Sequence, residues 1–233
     1  LEFRRVLFRS SMIFLNPKVL KIWDILMKMN KFKEPLIDLF GAEEIDDLYK
    51  DYLIIEKQWE KFFKRMNFIN LVIIAETPLS GERYIYNPKK NHDSGTQFLR
   101  KKQLQECLEI YKRSECSLEG KGKMELMIEL GILVIEAYPF ALNPDQHIKM
   151  NYKKGLGVKN KKELFLRTSS WHFFNKIKKI NPKVGPQTVY AFRYRGNMSN
   201  LNALIDVNKE IYCLGGDYGN LDTKKLHKIF KKL

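Results

Sequence analysis

The chain has 233 residues, of which 44% are hydrophobic and 12% aromatic, which is enough for one domain with a substantial core. This composition excludes a disordered chain, and no apolar run approaches the roughly 20 residues of a membrane-spanning helix. The net charge of +15 favours a polyanionic partner, although an excess of lysine over arginine is also typical of an AT-rich genome.

The first ten residues, LEFRRVLFRS, resemble the translation of a common sequencing-adapter oligonucleotide. They show neither a hydrophobic period nor a helix cap, so we interpret residues 1–10 as an artefact outside the fold. They hold three arginines and one glutamate, and the remainder therefore carries +13. We interpret residues 11–67 as a helical segment of the same domain as residues 68–233.

The helical segment is followed by a change of pattern. Between 43 and 66, apolar side chains recur at three- and four-residue steps, with acids at the start and bases at the end, which predicts an amphipathic helix aligned with its dipole. The run FINLVIIA at 68–75 is too short for a buried helix and is typical of a parallel strand covered on both faces.

Helices and strands then alternate to the end of the chain. Helical patterns are predicted at 97–113, 123–130, 161–180, near 199–206 and at 222–233, and further strands at 131–137, 187–193 and 210–214. The helix at 161–180 is predicted to bury Leu164, Phe165, Trp171, Phe174 and Ile177, and Asp222 is predicted to cap the last helix. This alternation predicts a three-layer α/β/α domain with a central four-stranded, mainly parallel sheet whose first strand is central.

In such folds ligands bind outside the carboxyl ends of the strands. The first strand ends at Glu76, followed by Thr77 and Pro78, and the second ends at Glu136, followed by Tyr138. A buried acid is costly unless it is hydrogen-bonded or faces a site, so both acids are candidate site residues. The alternative, that they only bind loop backbone, remains open.

The rest of the loop 76–88 and two further loops, 193–197 and 215–220, reach the same edge. Tyr84 and Tyr86 alternate, so they face opposite sides if the segment is extended, and one ring is then free to stack on a planar ligand; alternatively both belong to the core. After the third strand, Arg193 and Arg195 offer guanidinium forks that suit phosphates, unless one is solvated and the other salt-bridged. The loop 215–220 follows the fourth strand.

Other classes of site lack their motifs. The sequence has no G-x-x-x-x-G-K-[ST], no G-x-S-x-G and no H-E-x-x-H, and its histidines are scattered at positions 92, 147, 172 and 227. Three cysteines, Cys107, Cys116 and Cys213, have no metal-ligand spacing and indicate reduced thiols in a cytoplasmic protein. No metal and no cofactor is predicted.

The segments 75-AETP-78, SGERYIYNP and GILVIEAYPFALN resemble the uracil-DNA glycosylase superfamily, in its less characterised branch. In that family a G-[EQ]-x-P motif ends the first strand of a parallel sheet, and an aromatic side chain beyond it stacks on the extruded base. Ala75 stands here in place of the glycine. The resemblance implies that Glu76 holds the base and a water, that Tyr86 is the stacking aromatic, and that Glu136 is the acid of the second strand.

The resemblance also implies a nucleic-acid partner, with DNA favoured. It implies base contacts from Thr77, Pro78, Tyr84 and Tyr138, and phosphate contacts from Arg83, Arg193, Arg195 and Asn197. The last-strand loop, with Asp217 and Asn220, departs from the family because it lacks the histidine of a His-Pro-Ser loop. The predicted function is nucleic-acid binding, with excision of a damaged or deaminated base as a possible reaction. A non-catalytic nucleic-acid or nucleotide-binding domain and a small-molecule α/β enzyme are the alternatives.

Overall fold

The computed structural model describes residues 37, 41–78, 84–87, 99–112, 120–142, 171–193, 211–215 and 220–233. The elements are α1 (Ala42–Arg65), β1 (Ile69–Ala75), α2 (Lys101–Lys112), α3 (Lys123–Leu130), β2 (Ile132–Glu136), α4 (the helical residues 171–180), a 3-10 turn (Asn181–Lys183), β3 (Val184–Phe192), β4 (Ile211–Cys213) and α5 (Thr223–Lys232).

The four strands form one parallel sheet in the order β2-β1-β3-β4. Ile74 pairs with Ile135 on one side and with Phe192 on the other, and Phe192 pairs with Cys213, so the four strands end at one edge. The predicted α/β/α architecture with an internal first strand is therefore confirmed. The helix predicted near 199–206 lies outside the described residues.

The helices form two layers that cover the sheet. α2 packs against both α3 and α5 in one layer. In the other layer α4 packs against α1, where Lys176 pairs with Glu56 and Lys179 with Glu60. Every residue of β1 and β2 is buried, as expected for parallel strands covered on both faces, and each enclosed Leu, Ile or Val contributes about 1.5–3 kcal/mol.

Polar side chains satisfy the ends of two helices, and a glycine ends a third. Asp222 caps α5 as predicted, because its carboxylate accepts hydrogen bonds from the backbone N–H groups of Lys224 and Lys225. Lys183 donates to the carbonyl oxygens of Phe63 (2.8 Å) and Met66 at the end of α1. Gly131 ends α3 with φ 66°, and a Cβ there would lie 2.7 Å from the Phe68 ring, so only glycine fits.

The buried face of α4 differs from the prediction. The structure buries His172, Phe173, Lys176 and Ile180, whereas Phe174 is 55% exposed and Trp171 and Ile177 are only partly buried. The predicted burial of Phe174 is wrong because the side of α4 that faces α1 carries polar partners of α1 side chains rather than apolar ones. Leu164 and Phe165 lie outside the described residues. In the described ranges, no helix is long and apolar enough to cross a membrane.

Candidate functional site

Glu76 and Glu136 start from neighbouring positions at the carboxyl edge but occupy different environments. Ala75 pairs with Glu136, and the ladder continues past the strand ends, because Tyr138 N–H donates to the Glu76 carbonyl at 2.8 Å. Glu76 is exposed, whereas Glu136 is 4% exposed. The edge thus presents one solvated carboxylate beside one enclosed carboxyl group.

The Glu136 carboxyl lies in a cluster of titratable side chains. Burial raises the pKa of Glu136 to about 7, the Lys176 ammonium opposes that shift, and the Glu56 carboxylate adds to it. A carboxyl group with a pKa near neutrality can donate or accept a proton at physiological pH, a property that is enriched at functional sites.

Lys176 is the positive charge of this cluster. Its Nζ lies 2.6 Å from Glu56 Oε1 and 3.4 Å from the centroid of the Trp59 ring, and the side chain is almost fully buried. Burial lowers the pKa of Lys176, while the carboxylates of Glu56 and Glu136 oppose that shift. α4 therefore places a desolvated ammonium between an acid of α1 and the acid at the end of β2.

Lys176 Nζ contacts Glu56 without the alignment of a hydrogen bond, and two further buried polar atoms in the cluster have no hydrogen-bond partner among the described residues. His172 Nε2 is one, and its ring meets Tyr52 edge-on at 5.7 Å. Burial and the charge of Lys176 hold the pKa of His172 well below its ordinary value, although a hydrogen bond to the Glu136 backbone opposes the shift. The Tyr84 hydroxyl is the other: it lies beside the Glu136 carboxyl without the alignment of a hydrogen bond.

Tyr86 has a structural contact that the sequence did not suggest. Its hydroxyl accepts a hydrogen bond from Val134 N–H at 2.6 Å and donates to Val134 C=O at 2.9 Å. β2 is an edge strand, so this phenol satisfies backbone groups that no neighbouring strand can reach. The Tyr86 ring lies 4.4 Å from Phe62 and is buried. Its role as a base-stacking residue stays a prediction.

The expectation of opposite-facing tyrosines, conditional on an extended segment, is not met. Residues 84–87 form a turn in which Asn87 N–H donates to Tyr84 C=O at 3.1 Å. The turn brings the two rings into one edge-to-face pair with centroids 5.6 Å apart. Both tyrosines consequently contact the same buried cluster.

Removing the Tyr86 hydroxyl tests its structural contact. Tyr86→Phe leaves the N–H and C=O of Val134 without this partner, and we expect the free energy of unfolding to fall by about 1–3 kcal/mol in urea titration. Tyr111→Phe is the control, because its ring packs on Phe230 and no hydrogen bond of its hydroxyl is seen among the described residues. Equal effects from the two variants would contradict the edge-capping role.

The other predicted residues are distributed around the edge. Pro78 and Tyr138 are buried, with Tyr138 packed edge-on against Phe140, and Thr77 is half-buried. Arg193 and Asn220 are half-buried in the loops after β3 and β4. Arg83, Arg195, Asn197 and Asp217 lie outside the described residues.

The loops after β3 and β4 approach each other closely. Arg193 N–H donates to Ile74 C=O at 2.9 Å, which extends the β1–β3 ladder to the carboxyl edge. A Cβ at Gly215 would come within 2.3 Å of the Arg193 carbonyl oxygen, so this approach requires glycine. The backbone of Arg193 is thereby fixed beside the end of β1, and β1 lies between Arg193 and Glu136.

No group of three His, Cys, Asp or Glu side chains in the described ranges has the geometry of a metal site. Comparisons of the chain with protein-family models, curated proteins and solved structures find no match. The fold and the site therefore define a class only: a parallel α/β/α protein with a buried titratable cluster at the carboxyl edge of its sheet.

Proposed function

We propose that this chain is a uracil-DNA glycosylase-like protein that binds nucleic acid at the carboxyl edge of its sheet and excises a damaged or deaminated base there. The observation that supports the proposal is the pair of acids on adjacent parallel strands. Glu76 is solvated, whereas burial raises the pKa of Glu136 to about 7. Carboxyl groups in such different environments can take different roles in acid–base chemistry.

The proposed reaction is hydrolysis of the bond between the sugar C1′ and the base nitrogen. The base leaves with the bonding electrons and takes up a proton, while a water oxygen bonds to C1′ and releases its own proton. Glu76, as the solvated carboxylate, orients that water and offsets the positive charge that develops on the sugar. Glu136, at the end of the adjacent strand, is the second candidate catalytic residue, and its role is to donate or accept a proton. Extrusion of the base from the stack precedes these steps.

A second candidate function is binding of nucleic acid without excision. It is favoured by the enclosure of Glu136 and Tyr86, which are 4% and 2% exposed, because neither can meet a base without movement of the surrounding loops. This candidate uses the same edge of the sheet. It differs from the first only in whether an abasic product forms.

Glu76→Gln separates the two functions. If the chain excises a base, this substitution keeps the side-chain shape but removes the charge, and we expect product formation to fall by about 100-fold or more while affinity changes little. The assay treats a panel of single- and double-stranded oligonucleotides carrying uracil or damaged bases, and alkali then cleaves abasic sites. Asp51→Asn, at an exposed position of α1, is the control. If the wild-type protein binds the oligonucleotides but forms no abasic site, the result supports binding without excision.

A further inference from the structure

The last helix, α5, concentrates positive charge on its outer face. Its sequence TKKLHKIFKK contains five lysines and no acid, and the five lysines are exposed. Lys224, Lys228 and Lys231 recur at steps of four and three residues, so they lie in one row along the helix. None of these three forms an ion pair with a described residue. Lys231 lies in the last turn, where the helix dipole favours a cation, but like charges in such a row repel one another, so fold stability does not explain the row as a whole.

The lysine content of the chain as a whole does not explain this face. If a lysine-rich composition were the cause, charge would be spread over the helices in similar proportion. α1, the longest described helix, instead carries seven acids and five bases over Ala42–Arg65. Among the described helices, α4 and α5 carry lysines and no acid, but two of the three α4 lysines pair with acids of α1. The net positive charge is therefore greatest on α5, which favours a polyanion there.

The apolar side of α5 is already occupied. Leu226, Ile229 and Phe230 are each at most 1% exposed and belong to the main core. An amphipathic helix that binds a membrane surface must insert its apolar face, and α5 has no apolar face left to insert. Only the cationic row is available, and it fits a partner recognised by charge.

The cationic row begins at the carboxyl edge of the sheet. Lys225 Nζ donates to the carbonyl of Cys213, the last residue of β4, at 3.1 Å. Gln103 Nε2 donates to Leu221 C=O at 3.0 Å and to Thr223 Oγ1 at 2.8 Å, which joins the start of α2 to the start of α5. The exposed Arg100 and Lys102 add positive charge at this end of α2, whereas further along α2 Glu106 lies 3.3 Å from His227 of α5.

The dimensions fit a nucleic-acid backbone. Lys224 and Lys231 are separated by about 10 Å along the helix axis, which is roughly the axial rise of three phosphates of one strand. Three strand spacings separate β4 from β2, or about 14 Å. One nucleic acid can therefore contact the row while another part of it lies at the edge that holds Glu76 and Glu136.

We propose that Lys224, Lys228 and Lys231, together with Arg100 and Lys102, form a surface that binds the sugar–phosphate backbone of a nucleic acid. The inference rests on the proposed nucleic-acid-binding function, and it specifies which surface of the protein contacts the sugar–phosphate backbone. Lysine is a flexible point charge rather than a planar fork, so this surface grips phosphates without reading base sequence. Recognition of a base is left to the carboxyl edge.

The test compares two triple variants by fluorescence anisotropy of labelled single-stranded and duplex oligonucleotides between about 50 and 200 mM salt. Lys224→Gln, Lys228→Gln and Lys231→Gln together are expected to lower the slope of log Kd against log salt by about 2 to 3, whatever the base sequence. Lys57→Gln, Lys61→Gln and Lys64→Gln are the control, an exposed lysine triplet with the same spacing on α1, in the opposite layer. It should leave the slope nearly unchanged.

The outcomes separate this inference from the proposed function. Wild-type protein that binds no oligonucleotide at low salt overturns the nucleic-acid function and the surface with it. Wild-type binding that both triple variants reduce equally overturns the surface alone. Lysine-dependent binding to phosphatidylserine vesicles in place of oligonucleotides overturns the choice of partner. Circular dichroism verifies that both triple variants keep the helical signal of the wild type, since all six substituted lysines are exposed.

Discussion

Replacing Lys176 by Met is expected to lower the free energy of unfolding by about 3–5 kcal/mol, because it leaves the buried Glu136 and the partly buried Glu56 without their positive partner. Lys176 Nζ lies 2.6 Å from Glu56 Oε1, and its charge also opposes the rise in the pKa of Glu136. Met preserves most of the side-chain volume, so a cavity contributes little. The loss should appear as a lower midpoint in urea titration at unchanged slope.

Lys179→Met provides the matched control. Lys179 is three residues further along the same helix and pairs with Glu60 of the same partner helix, but both side chains are about two-fifths exposed. Solvent screens that pair, so we expect a loss of at most about 1 kcal/mol. Adding Glu136→Gln to Lys176→Met should recover part of the stability by removing a carboxylate that has lost its partner. Equal losses from Lys176→Met and Lys179→Met would contradict the account of a buried ion cluster.

The sheet could be predicted from short apolar runs because its strands are covered on both faces. FINLVIIA predicted β1, and the structure buries all seven residues from Ile69 to Ala75. The predicted N-cap at Asp222 is also observed, since capping depends on a few adjacent residues. Features that depend only on the local sequence pattern could therefore be predicted.

The buried cluster could not be predicted in the same way. Hydrophobic periodicity gives no reason to bury a polar residue and placed Phe174 on the apolar side of the helix, whereas the structure buries His172 and Lys176 and exposes Phe174. Burial of Lys176 depends on Glu56 and Trp59, which lie more than a hundred positions earlier in the chain. The available signal was the four-residue step of His172 and Lys176, which matches that of Tyr52 and Glu56 on α1.

Tyr86 shows a second limit of sequence reasoning. An aromatic residue downstream of an acid at a strand end resembles a stacking residue, and nothing local distinguishes it from a core tyrosine. Its hydroxyl bonds both Val134 N–H and Val134 C=O, a contact that exists only because β2 is at the edge of the sheet. Strand order is set by long-range packing, so this contact could not be read from the segment itself.

The two acids with candidate catalytic roles differ in what their replacement should do to stability. Glu76 is exposed, so Glu76→Gln tests chemistry with little effect on folding. Glu136 is enclosed by Tyr84 and Tyr86 from the turn, by His172 and Lys176 from α4, and by Glu56 from α1. Replacing Glu136 therefore changes the folding equilibrium as well, and the pH dependence of that change reports the protonation of the buried carboxyl.

Glu136→Gln is expected to stabilise the protein relative to wild type at pH 8 and not at pH 4.5. The pKa of Glu136 rises from 4.5 to about 7 on folding. The folded state therefore binds the proton more tightly, and ionisation of Glu136 costs stability as the pH rises between these values. That cost is absent below about 4.5, complete above about 7, and on the order of 3 kcal/mol. The difference in free energy of unfolding, variant minus wild type, should rise across this window and then level off.

The low pKa of His172 has the opposite effect, because the unfolded chain takes up a proton below about pH 6.5 and the buried imidazole does not. In wild type the effects of Glu136 and His172 on the free energy of unfolding partly cancel between about pH 4.5 and 6.5. In Glu136→Gln only the effect of His172 remains. The variant should therefore lose stability more steeply than wild type on acidification. Urea titrations from pH 4.5 to 8 measure both curves. Glu109→Gln, at an exposed position of α2, is the control for loss of a glutamate outside the buried cluster. A variant-minus-wild-type difference that is flat or falls with pH would show that Glu136 is not a buried acid.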